Sequence, residues 1–112
     1  MAYPPLHELN LLHANICQAL ADPKRILILY ALADEPRHVT ALAEMLCLPQ
    51  PTVSRHLRIL RQQSLVTSER DGTAVVYSLL DHRIIDVLDT MRQVMVDALA
   101  RQSNLLEDNG FS

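Results

Sequence analysis

The chain has 112 residues, 49% of them apolar, with one Phe and no Trp; that is one domain's worth of sequence with an aliphatic core, and it excludes a disordered segment. A net charge of −3 and only two cysteines, Cys17 and Cys47, exclude a disulfide-framed scaffold, so the expectation is reduced thiols in the cytoplasm. No apolar run reaches the ~18 residues that span a membrane, and the opening "MAYPPLHELN" lacks the basic-then-apolar order of a signal peptide.

In "HELNLLHANICQALA", Leu9, Leu12, Ile16 and Leu20 recur at steps of three and four, which predicts a helix over about Leu6 to Leu20. Asp22-Pro23 restarts the chain: Asp is a good N-cap and Pro suits a first helical turn. The second helix then runs to about Ala33, and "DEPR" breaks it, with Pro36 restricting Glu35. Thr40 is read as the cap of a short third helix, "ALAEML", ending near Cys47. After the turn "CLPQP" a fourth helix covers about Gln50 to Gln63, with Val53, Leu57 and Leu60 on one face and Arg55, Arg58 and Arg61 on another. "LVTSER" and "AVVYSL" are rich in β-branched residues, and Asp71-Gly72 between them signals a tight hairpin with positive φ at Gly72. Asp81 is read as the cap of a last helix to about Gln102, with a frayed tail beyond.

Charge is unevenly spread along this order. Residues 1–49 carry three basic and five acidic side chains, residues 73–112 three and six; residues 50–72 carry Arg55, Arg58, Arg61 and Arg70 against Glu69 and Asp71. Only the middle is positive, and a local basic face matters more to nucleic acid than the total. The third and fourth helices, joined by a short turn, make a helix-turn-helix, and the hairpin behind them makes a wing. The second helix of such a pair enters the major groove, so one face must pack and the other must carry donors. Val53, Leu57 and Leu60 supply the packing. Gln50, Thr52, Ser54, Arg55, His56 and Arg58 supply amide, hydroxyl, imidazole and guanidinium groups that suit base edges and phosphates. Arg70 and Thr73 on the wing suit the neighbouring backbone. The fold expected is mainly α with a small β-hairpin, a winged helix-turn-helix forming a single domain over 1–112, its core over 6–102 and its ends, 1–5 and 103–112, flexible.

In the last helix, Ile84, Leu88, Met91, Met95 and Ala98 follow steps of 4, 3, 4 and 3. That is a coiled-coil seam, and a helix apolar over so wide an arc needs a partner as well as a core. The predicted partners are therefore double-stranded DNA and a second copy of the chain, with no membrane.

"ALADPKRILIL" (19–29), "ALAEMLCLPQPTVSRHLRILRQQSLV" (41–66), "RDGTAVVYSL" (70–79) and Asp81-His82 together resemble the ArsR/SmtB family of bacterial winged-helix repressors over about residues 12–102. The resemblance implies a homodimer with the first and last helices at its interface, Leu9, Leu12 and Ile16 from the first among them. It also implies an inverted-repeat operator and release by an inducer. Family metal positions match this chain poorly. The Cys-x-Cys-Asp start of the third helix is His38-Val39-Thr40-Ala41 here, and the site on the last helix falls on Asp81, Arg83, Val94 and Asp97. Neither supplies a tetrahedral zinc set. No cofactor is called for, and metal sensing would need a site of another kind.

The thiols stay open. Cys17, beside the Ile16 row, reads as a small buried core residue or as a sensor. Cys47 stands where the family usually has Gly, so either the turn avoids the left-handed conformation or the thiol has a use, as a redox or thiophilic-metal sensor. A protein-binding winged helix is the alternative of another class, but "QPTVSRHLR" offers polar and basic groups. An enzyme is not indicated, since no phosphate loop, nucleophile with its base, or carboxylate pair is visible.

Overall fold

The structure is a computed structural model that describes residues 2–108. Helix α1 (Leu6–Leu12) continues as a π-helical stretch, His13–Cys17. Then come α2 (Pro23–Asp34), β1 (Arg37–His38), α3 (Val39–Leu46), α4 (Gln50–Gln62), β2 (Val66–Asp71), β3 (Ala74–Leu79) and α5 (Arg83–Asp108). The chain divides after Asp81 into two units, the first carrying α1 to β3 and the second α5. This is the expected winged helix-turn-helix with one addition. Arg37 and His38 pair antiparallel with Tyr77 and Val76, which makes a three-stranded sheet in the order β1-β3-β2. A two-residue strand is too short to show as a periodic pattern.

Asp22 caps α2 as expected, its Oδ1 accepting from the Lys24 N–H at 2.8 Å. The Thr40 cap is corrected: α3 already begins at Val39, and His38 stands at its N-cap with no side-chain cap bond. The first unit's core joins Ile28, Leu29 and Leu32 of α2, Leu42 of α3, Val53, Leu57 and Leu60 of α4, and Leu65, Val66 and Leu79 of the hairpin, all buried. Each such side chain contributes about 1.5–3 kcal/mol. Helix α4 packs on α2, α3 and β2, so it is held from three sides. Helix α1, by contrast, contains no buried residue.

Both helices of the helix-turn-helix end in the same way. Leu48 N–H reaches the Ala43 carbonyl and Cys47 N–H the Glu44 carbonyl; Leu65 N–H reaches Leu60 and Ser64 N–H reaches Arg61. These are paired Schellman closures, and they place Cys47 and Ser64 at φ 54° and 60°. The turn at Cys47 thus adopts the left-handed conformation that a glycine would take without strain.

Helix α5 runs past Gln102 to Asp108. Of the end expected to be flexible, residues 103–108 are assigned to this helix, and residues 109–112 lie outside the described residues. No described helix is long and apolar enough to cross a membrane.

Candidate nucleic-acid interface

The exposed side of α4 carries Gln50, Arg55 and Arg58, with Thr52 and Ser54 half-buried at its flanks. Arg61 is exposed too, but its Nη1 donates to Ser68 Oγ at 3.3 Å, which ties α4 to the first strand of the wing. The wing itself is regular. Strand β2 pairs with β3 from Val66↔Leu79 to Asp71↔Ala74. The last pair corrects the expected turn: the two-residue loop is Gly72-Thr73, and Asp71 belongs to the strand. Gly72 has φ +66° as expected, whereas Thr73 does not share the positive φ. Glycine first with only that residue at positive φ is the type II′ pattern, so the loop sits one residue later than an Asp-Gly type I′ turn would put it. Arg70 and Thr73 are both exposed at this tip.

His56 does not join the exposed donors. It is 7% exposed, on the packing side of α4, and the expectation that it contacts DNA is corrected. It lies three residues after Val53 and four before Leu60, so helical geometry puts it on the apolar row. Its Nδ1 is 3.4 Å from Arg25 Nη1, and its Nε2 is 4.0 Å from Asp22 Oδ2. Burial holds the imidazole pKa below its ordinary value; Asp22 pulls upward, while Arg25, Arg55 and Lys24 push further down. The Asp22 carboxyl is held below its ordinary value chiefly by the hydrogen bond from Lys24 N–H, with His56 and Arg25 adding to it. Sequence reasoning missed Arg25 altogether. Its Nε donates to the Ala19 carbonyl at 2.7 Å and its Nη2 to the Gln18 carbonyl at 3.1 Å. The only sequence signal for it was the position three residues after the Asp22 cap.

Both thiols are free and exposed, so the reading of Cys17 as a buried core residue is corrected. The family metal positions do not fit a metal in this chain: Val39, Thr40, Ala41 and Val94 have no ligand atom in their side chains beyond one hydroxyl. His38 keeps a buried Nδ1 without a hydrogen-bond partner, but one imidazole is not a four-coordinate set. Among the described residues, no three His, Cys, Asp or Glu side chains gather as a metal site would need.

On the surface of the second unit, Val87, Met91, Val94, Met95 and Leu99 are exposed, while Ala98 is half-buried. Of the expected seam, Ile84 and Leu88 are 9% and 2% exposed and Met91 and Met95 are exposed. Val87, Met91 and Val94 make an exposed row at steps of 4 and 3, continued by half-buried Ala98 and exposed Leu105 at steps of 4 and 7. It shares Met91 and Ala98 with the expected seam and is rotated off Ile84 and Leu88. In the first unit, Leu6, Leu9, Leu11 and Leu12 of α1 are exposed and Ile16 is half-buried.

The sequence pattern of the bacterial regulatory proteins of the arsR family matches residues 22–68, from the cap of α2 into β2. The HTH-type transcriptional repressor SmtB of Mycobacterium tuberculosis is 40% identical over 97 residues, covering 86% of this chain and 72% of that protein. Among solved structures, NolR from Sinorhizobium fredii superposes with a TM-score of 0.72 at 35% identity, covering 84% of this chain and 94% of that one. A homodimeric winged helix-turn-helix DNA-binding domain from Mycobacterium bovis superposes with a TM-score of 0.72 at 28% identity, covering 90% and 95%.

Proposed function

The chain belongs to the arsR family of bacterial regulatory proteins and is a DNA-binding transcription regulator, not an enzyme; from that premise we propose that it is a cytoplasmic homodimeric repressor whose two α4 helices read an inverted-repeat operator until an inducer releases them. The observation that carries this reading is the division of α4. Val53, Leu57 and Leu60 are buried on one side, and Gln50, Arg55 and Arg58 stand exposed on the other. Guanidinium and amide groups there suit guanine and adenine edges in a major groove. Thr52 and Ser54 flank them with hydroxyl groups that suit base edges or phosphates, and Arg70 and Thr73 on the wing tip suit the adjacent backbone.

The apolar rows of α1 and α5 support a dimer. Met91 is 53% exposed and Leu6 72%, and rows of exposed large apolar side chains suit an interaction site. In this reading, Leu9, Leu12 and Ile16 join Val87, Met91, Val94, Met95 and Ala98 at the interface. The similar Mycobacterium bovis domain is homodimeric, and two-fold pairing makes an operator palindromic.

The experiment is a footprint of the full chain on the DNA upstream of its own gene, with sedimentation at the same concentrations. Protection of a palindrome by a dimer is the expected result; a monomer that protects no site overturns the reading. Exposure of both Cys17 and Cys47 favours a second reading, in which the release signal arrives as thiol oxidation or a thiophilic metal. Repeating the footprint with oxidant, reductant and zinc, on wild type and on Cys17→Ser and Cys47→Ser, tests it.

A further inference from the structure

Arg25 stands between two helices. Two of its nitrogens are bonded to the carbonyls of Ala19 and Gln18, just past the π-helical end of the first helix. A third lies 3.4 Å from His56 Nδ1 on α4 and 3.9 Å from Asp22 Oδ2. A guanidinium has donors only, so the ring nitrogen facing it must present a lone pair. That assigns the proton to Nε2, on the side of Asp22, and makes the ring neutral. The charged groups that act on the ring are Asp22, Lys24 and Arg25 from α2 and its cap, and Arg55 from α4 itself. His56 directly follows Arg55 and stands two residues before Arg58 in the same helix.

We propose that Arg25 and His56 are positioning residues for DNA binding: Arg25, fixed to the end of the first helix, holds the neutral His56 ring and so sets how α4 presents Arg55 and Arg58, and a second proton on the ring breaks that hold. This rests on the reading of α4 as the helix that meets DNA. The step is a simple protonation. Nδ1 gives up its lone pair to a proton, and two donors then face each other where a donor faced an acceptor. Burial resists that protonation, and Asp22 alone cannot offset it, being also bound to Lys24 N–H. Because Arg25 is anchored on Gln18 and Ala19, the same link connects the end of the first helix, next to the proposed interface, with α4.

The test uses the full chain, a duplex from upstream of its own gene and a random duplex of equal length, between about pH 7.5 and about pH 5.5, the range in which histidine titrates. Wild type is expected to hold its upstream-duplex affinity at the upper end of that range and to lose about half of it or more only toward the acid end, because burial sets the His56 pKa below 6.5, with its helical circular dichroism and sedimentation unchanged. The random duplex is expected to be bound no more weakly, since contacts to phosphate carry no sequence information and depend less on how α4 presents its base-reading groups. His56→Leu removes the acceptor and is expected to bind the upstream duplex poorly even at the upper pH. His56→Asn puts an oxygen where Nδ1 stood and cannot protonate, so it restores binding and keeps it in acid. Identical pH profiles for wild type and His56→Asn overturn the proposal, as does an affinity loss that appears only together with unfolding or dissociation. Wild type binding neither duplex at any pH removes the reading of α4 and the proposal with it, whereas strong binding that ignores pH removes the link alone.

Discussion

Cys47 and Ser64 each hold a left-handed conformation that favours glycine, at φ 54° and 60°. The Schellman bonds around them make that conformation obligatory, so the strain is carried by the side chain. Cys47→Gly and Ser64→Gly should each stabilise the fold by about 0.5–1 kcal/mol, the left-handed penalty less the glycine's extra entropy, and urea titration at neutral pH measures it. No gain from either change would mean that the thiol or hydroxyl contributes as much as the strain costs. At His56 the folded pKa lies below the unfolded one, so the unfolded chain takes the proton first. The associated stability is full above the ordinary imidazole value, 6.5, and is lost as pH falls below it, levelling off beneath the folded pKa. Urea titrations from about pH 7.5 downward should show this loss in wild type and less of it in His56→Asn. Asp22 adds a second loss at lower pH, because its folded pKa is also depressed. The burial of His56 was legible in its spacing from Val53 and Leu60; its chemistry obscured it, since a polar side chain on a basic helix reads as a donor for DNA.

Helix α4 and the wing were the most legible elements. A strong apolar row, a flanking Pro and a glycine at a hairpin bend are local signals, and the helix ends at Gln62 against an expected Gln63. The loop slipped by one residue because Asp-Gly and Gly-Thr both satisfy two-residue turns, and strand pairing across Asp71↔Ala74 chose between them. Arg55→Ala and Arg58→Ala should each weaken operator binding by about 1–3 kcal/mol in gel-shift titrations, as base or phosphate contacts do; unchanged affinity in the double variant would remove α4 from the interface. Arg70→Ala acts differently. A phosphate contact is blind to sequence, so operator and random DNA should weaken alike. The log–log salt slope should also flatten, by about one unit for each phosphate that is no longer neutralised. An unchanged slope would make Arg70 a solvated turn residue.

For the whole molecule, the proposed dimer uses the apolar rows of α1 and α5 as its interface. Met91→Glu or Val94→Glu would place an unpaired charge in a buried seam, at a cost of several kcal/mol. Sedimentation should then show monomers, with operator affinity falling in parallel. Dimers that persist in Met91→Glu and Val94→Glu would move the interface elsewhere.

What the sequence determined by itself was whatever depends on near neighbours: the order of helices, the Asp22 cap, the packing row of α4, the glycine at the wing tip and the basic stretch within an acidic chain. Periodicity and turn chemistry act over a few residues, so one chain suffices to read them. Tertiary structure alone decided the rest. It paired Arg37-His38 with β3, across almost 40 residues of chain, and it brought Arg25 to His56, 31 residues apart. An apolar row gives the direction in which a side chain points but not what it meets, because burial is a property of everything that packs on a residue and not of the residue's own helix.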